Sequence, residues 1–126
     1  MTRLTCIILL VFSGIFLNTN ESEAQIFNTK LRITVLDDLG NAIEDAEVTL
    51  YANKGDYTKE VNPVQETQKT DNKGRVTFKK LDAQSYYVIV RKGDMSNIGG
   101  GEIISELEEK RLNKANVIIS DELYAR

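Results

Sequence analysis

Leu31, Ile33 and Val35 alternate with Arg32 and Thr34, a period of two that predicts a half-buried strand. The alternation returns at 46–52. There Ala46, Val48, Leu50 and Ala52 share one face, and Glu47, Thr49 and Tyr51 share the other. Residues 75–79 point Val76 and Phe78 inward, and 64–70 reads as a short polar strand. The most β-prone stretch is 86–91, with Tyr86, Val88 and Val90 on one face and Tyr87, Ile89 and Arg91 on the other. A last strand is predicted at 115–120. Turn chemistry separates these runs: Asp37 to Asn41 around Gly40, Asp71 to Gly74, and a break at 82–85. Residues 53–63 are polar and hold Gly55 and the only proline, Pro63, which predicts a long loop. Residues 92–101 are turn-rich and end in three glycines. Residues 102–114 admit two readings. Glu106 and Lys110 form an i,i+4 pair that favours a helix, whereas Ile103, Ile104 and Leu107 suit a strand entering a hairpin. Roughly six or seven short strands with polar turns between them read as an all-β sandwich.

The start of the chain follows another pattern. Residues 6–17 are an apolar run of 12 residues, preceded by Arg3 and followed by a polar stretch with Ser22 and Ala24. That is the layout of a cleaved secretory signal. The run is short of the roughly 20 residues that a spanning helix needs. Cys6 opens the run and does not follow it, which argues against a lipid anchor there. The expected organisation is a signal over 1–24, a lead-in over 25–30, one domain over 31–120 and a tail over 121–126. Cleavage after Ala24 leaves 102 of the 126 residues, with 15 basic against 17 acidic side chains and no cysteine. A disulfide-permitting compartment is implied, yet the fold rests on packing and backbone pairing. The expected location is periplasmic or secreted, with no membrane span after cleavage.

Charge and composition narrow the chemistry. A near-balanced charge lacks the basic stripe of a nucleic-acid binder. The chain has no histidine, which removes His-based triads and most zinc, copper and non-haem iron sites. Ser96, Ser105 and Ser120 have no neighbouring base of the triad kind. The reading is therefore non-catalytic, with no cofactor.

Three blocks of residues carry a family resemblance. They are Val35-x-Asp37-x-x-Gly40-Asn41-x-Ile43-x-x-Ala46-x-Val48, then Thr70-Asp71-x-x-Gly74-x-x-x-Phe78-x-x-Leu81, then Tyr86-x-Val88-x-Val90. Over about residues 31–91 the chain resembles the carboxypeptidase regulatory-like domain, and is similar to the small domain that opens many outer-membrane receptors of Bacteroidetes-type bacteria. The resemblance implies an antiparallel Greek-key β-sandwich of about seven strands, transthyretin-like (prealbumin-like). It also implies a companion domain and not a peptidase. Ala42 stands where the family commonly has proline, and Asp45 and Gln84 stand where it commonly has glycine.

These readings point to an interaction module or envelope accessory of a Gram-negative bacterium, with an envelope or extracellular protein as partner. The alternative is a small-ligand module binding carbohydrate or calcium. Met95 and Ile98 are candidate contact residues, being apolar groups in the 92–101 loop with no strand pattern to bury them; the equal alternative is that both fold back and cap the open end of the sandwich. Tyr51, Tyr57 and Tyr87 fall on outward or loop positions and are candidates for stacking on sugars; the competing and preferred reading is ordinary cross-strand pairing or a second apolar face. Asp37, Asp38, Asp71 and Asp94 are the acidic turn residues that a calcium site would draw on; the competing reading makes them turn formers. A self-formed Lys–Asn crosslink, as in pilin-like sandwiches, would need Lys30 beside Asn116, and the Tyr86 strand offers no suitable glutamate. The first testable expectation is a mature N-terminus at Gln25, read by N-terminal sequencing of exported protein. An intact Met1, or a lipid on Cys6, contradicts it.

Overall fold

The computed structural model describes residues 28–121. The expectations for the signal, for Gln25 to Phe27 and for residues 122–126 lie outside the described residues. Among the described residues, nine strands and one short helix follow in order: β1 Lys30–Leu36, β2 Glu47–Tyr51, α1 Lys54–Lys59, β3 Gln68–Lys69, β4 Arg75–Phe78, β5 Tyr86–Lys92, β6 Met95–Ser96, β7 Ile103–Ile104, β8 Leu112–Ile118 and β9 Ser120–Asp121. They form two sheets, one ordered β4-β1-β8 and the other β3-β2-β5-β6-β9, with β7 also paired to β5. This is the all-β sandwich that the alternation predicts.

The inner faces meet as expected. Leu31, Ile33, Val35, Val76, Phe78 and Val117 come from the first sheet; Val48, Leu50, Tyr86, Val88 and Val90 come from the second. Each fully buried apolar side chain contributes roughly 1.5–3 kcal/mol of transfer free energy. The buried Tyr86 ring keeps its hydroxyl satisfied by donating to the Asp82 carbonyl at 2.8 Å. Gly74 closes its turn at φ +74°, and a Cβ there would lie 2.8 Å from the Val35 carbonyl oxygen. Asp45, at a family glycine position, takes φ +61°. Its N–H donates to the Thr70 carbonyl at 3.0 Å. Gln84, at the other such position, is not among the left-handed residues.

The structure differs from the pattern reading in four places. Residues 53–63 are not a plain loop, because 54–59 form α1. That helix lies over the outer face of β2 and β5, so Tyr51 is only 4% exposed and Ile89 is buried as well. Ala52, expected inward, is exposed. The strand expected at 64–70 pairs only at Gln68 and Lys69. Of the two readings of 102–114, the strand one holds: the segment is strand and turn, with no helix.

The largest departure is the last long strand. β8 pairs with β1 in parallel, from Lys30 opposite Leu112 to Leu36 opposite Ile118, while every other strand pair is antiparallel. The start of β1 is fixed by the same contact. Thr29 is buried and its hydroxyl accepts the Lys110 N–H at 2.9 Å. Asn113 donates to the Lys30 carbonyl at 3.1 Å. This register also separates Lys30 from Asn116, which sits opposite Thr34. Four residues of strand is about 13 Å, so these two side chains form no crosslink.

Truncation tests the face assignment. Phe78→Ala is expected to cost about 3–5 kcal/mol in urea unfolding, and Tyr87→Ala on the opposite face clearly less. Equal losses would mean a register slip of one residue, which inverts every side chain.

Candidate functional site

The outer face of the second sheet carries the aromatic candidates. Asn53 caps α1 by accepting the Asp56 N–H on Oδ1 at 2.8 Å, and its amide donates back to Asp56 Oδ2 at 3.0 Å. The helix ends one turn later at Glu60, in the left-handed conformation. This short element places Tyr57 between two sheet tyrosines. Its ring meets Tyr51 edge-on at 6.2 Å and stacks on Tyr87 at 5.2 Å. Tyr51 and Tyr87 lie directly opposite each other on β2 and β5. The structure thus gathers Tyr51, Tyr57 and Tyr87, but as rings packed on one another, with Tyr51 buried and the other two half-buried. Of the two readings of these tyrosines, the rings follow the one of cross-strand pairing and a second apolar face: Tyr51 is buried, and one aromatic side of Tyr57 and one of Tyr87 are engaged in their stack.

Two polar links pin this cluster. Arg91 on β5 donates to both Glu60 carboxylate oxygens, at 2.6 and 3.1 Å, and holds the Glu60 carboxyl below its usual range. Both partners are almost half exposed, so the pair contributes little in salt. Burial, together with a hydrogen bond to Glu102, pushes the Tyr57 phenol up to about 12. The Glu102 carboxylate also accepts the Gly99 N–H. Glu102 therefore stands beside Tyr57 of α1 while holding the glycine-rich loop.

That loop is organised by Asn97, which the pattern reading missed. Its side chain is buried. Oδ1 accepts the Val90 N–H at 2.9 Å, and Nδ2 donates to the Val88 and Gly101 carbonyls at 2.9 and 3.3 Å. The amide thus continues the pairing along β5 between the end of β6 and the start of β7. Only an asparagine followed by a glycine run hinted at it in the sequence. The two loop candidates part company here. Met95 is half-buried and packs on the core, whereas Ile98 is 39% exposed.

Ile98 has apolar neighbours on the same side of the sandwich. It lines a shallow cleft with Ile118 of β8, which is 58% exposed. Alongside runs a groove of about 300 Å³ between 101–107 and the 113–117 part of β8, with Ile103, 65% exposed, on its wall. Four of the six large apolar side chains exposed among the described residues, Ile98, Ile103, Leu112 and Ile118, belong to this side or to β8 itself.

The acidic turn residues are engaged locally. Asp37 Oδ1 accepts the Leu39 and Asn41 N–H groups, both at 2.9 Å. Asp71 Oδ1 accepts those of Lys73 and Arg75 at 2.8 and 3.0 Å. These bonds lower both carboxyls below their ordinary range, through Asn41 first for Asp37 and Arg75 first for Asp71. Asp38 and Asp94 are exposed. Among the described residues no group of three or more His, Cys, Asp or Glu is placed to hold a metal ion. No helix among them is long and apolar enough to cross a membrane.

Two packed sheets make a β-sandwich, and the family comparison gives its class as Ig-like. Residues 27–123 match the family described as DR_A0283-like, Ig-like domain, and the chain belongs to that family. No curated protein matches it. Similar solved structures include the TIE protein of Bacillus anthracis, at 12% identity over 75% of this chain with TM-score 0.53. A streptococcal ancillary pilin gives 15% over 74% with TM-score 0.55. BcpA, the major pilin subunit of Bacillus cereus, gives 16% over 75% with TM-score 0.52. The chain covers only 16%, 32% and 30% of those three proteins. At such identities the likeness is one of fold.

The tyrosine cluster has a pH signature. The Tyr57 phenol ionises near 10 when unfolded and at about 12 when folded. A raised folded value means that its stabilising share is whole below about pH 10 and is lost as pH rises towards 12. Urea unfolding of wild type is expected to weaken across that window more than that of Tyr57→Phe. Equal alkaline losses would place the Tyr57 hydroxyl in water.

Proposed function

We propose that this Ig-like domain is a non-catalytic protein-interaction module, exported to the periplasm or the cell exterior and working there as an envelope accessory. The observation that carries the reading is the pair of exposed Ile98 and Ile118 lining one shallow cleft, next to a groove along β8, because soluble domains seldom leave apolar groups clustered without a partner. Three further facts support it. The chain has no histidine. Asp37 and Asp71 are engaged in their own turns. Two structures of similar fold are pilin proteins by name, and the leader pattern of residues 1–24 points to the same side of the inner membrane. The resemblance of 31–91 to the carboxypeptidase regulatory-like domain fits the same companion role. A carbohydrate- or calcium-binding reading has no comparable cluster behind it, since Tyr57 and Tyr87 stack on each other.

Single substitutions separate docking from capping. Ile98→Ser is expected to leave stability within about 0.5 kcal/mol, as a surface change does, and to weaken capture of envelope proteins in a pull-down from the native envelope fraction. Met95→Ser is expected to lower stability, because its side chain packs on the core. Unchanged capture with Ile98→Ser contradicts the docking role. Melts shifted by calcium or by a glycan panel would favour the ligand reading instead.

A further inference from the structure

The free edge of β8 has a feature that the loop residues do not share: it is complementary to itself. The phase of the strand is fixed by two bonds. The Lys30 N–H donates to the Arg111 carbonyl at 3.0 Å, and the Ile119 N–H donates to the Leu36 carbonyl at 2.9 Å. In a parallel ladder, alternate residues bond the same neighbour. The odd residues 111–119 therefore serve β1, and Leu112, Lys114, Asn116 and Ile118 direct N–H and C=O away from it. Among the described residues no strand pairs with that side of β8. These four residues are also the exposed face of the strand, while Asn113, Ala115 and Val117 turn inward.

An unpaired edge of this length is a template for another strand. We infer that the edge pairs with a second copy of this chain, antiparallel, about a two-fold axis at Ala115. In that register Leu112 faces Ile118 of the other copy and Lys114 faces Asn116. All four are the residues whose backbone groups point outward, so both bonds of each pair can form. The axis falls on the closely spaced, non-hydrogen-bonded pair, which here is alanine against alanine. Moving the axis to residue 114 sets lysine against lysine, which is destabilising. Moving it to 116 sets Lys114 against Ile118. The single lysine of the edge thus disfavours the neighbouring registers and allows this one. A two-fold pairing closes on itself, so assembly stops at a dimer.

The inference rests on the reading of the chain as an interaction module, but it uses a different surface from Ile98. The test is sedimentation of the protein in the form the cell accumulates, from about 1 μM to about 1 mM, since an interface this small is weak. A concentration-dependent monomer–dimer equilibrium is expected. Asn116→Glu places a carboxylate opposite Lys114 twice per dimer and should tighten it. Asn116→Lys should weaken it, each by roughly three- to thirtyfold in Kd. Asn116→Pro removes an N–H that serves no bond to β1 and should abolish the dimer. A monomer at every concentration overturns the inference, as does a shift in the same direction for Asn116→Glu and Asn116→Lys. Either result leaves the Ile98 pull-down standing as a separate test of the module reading.

Discussion

Parallel pairing of β1 with β8 is the contact from which the other features follow. β1 is the middle strand of its sheet, and its inward residues Leu31, Ile33 and Val35 are essentially buried. β4 supports it on one side over four register pairs, whereas β8 runs along its full seven residues. Parallel neighbours cannot be joined by a hairpin. Here the connection between them is the rest of the domain, residues 37–111. The pairing therefore locks the sandwich end to end, since nothing between the two strands can leave without releasing one of them. It also places Val117 and Ile119 in the core and holds the end of β8 near the glycine loop.

The second sheet is covered on both faces, and this decides what remains for recognition. Its inner face packs on β1, β4 and β8. Its outer face is closed over Tyr51 and Ile89 by one short helix, held by its own cap and by the Tyr57–Tyr87 stack and the Glu60–Arg91 ion pair to β5. Glu102 carries that rigidity into the glycine loop by holding Gly99, and Asn97 carries it in from β5. Glycine runs are entropically expensive to order, and these two side chains supply the bonds that offset the cost. Apart from Leu39 and Val61, the large apolar side chains left exposed among the described residues lie on the loop, β7 and β8.

The long alternating runs were legible in the sequence because one face of each is apolar and the other is not. β1, β2, β4 and β5 follow that rule closely, and so does the buried set of Phe78, Tyr86, Val88 and Val90. What was illegible depended on contacts between distant residues. α1 is six residues long, too short for a helical stripe, and its Gly55 reads as a loop signal. The cap pair Asn53 and Asp56 was the available sign. Tyr51 sits at an outward position of a period-two strand, and only the helix above it makes that position interior. β6, β7 and β9 have two residues each, below the length at which periodicity exists. The direction of β8 cannot be read from its own residues at all, because strand polarity is set by the partner. Of the loop candidates, Ile98 and Met95 look alike in sequence and differ only through what Asn97 does to the chain between β6 and β7.

The phase of β8 against β1 is the claim on which the rest depends, and residue-resolved amide hydrogen exchange in dilute protein tests it most directly. The N–H groups of Asn113, Ala115 and Val117 should be strongly protected, because they bond β1. Those of Lys114, Asn116 and Ile118 should exchange quickly, because they face outward. Protection in the opposite alternation, or none along β8 while β1 and β4 stay protected, would contradict the parallel pairing and everything built on it.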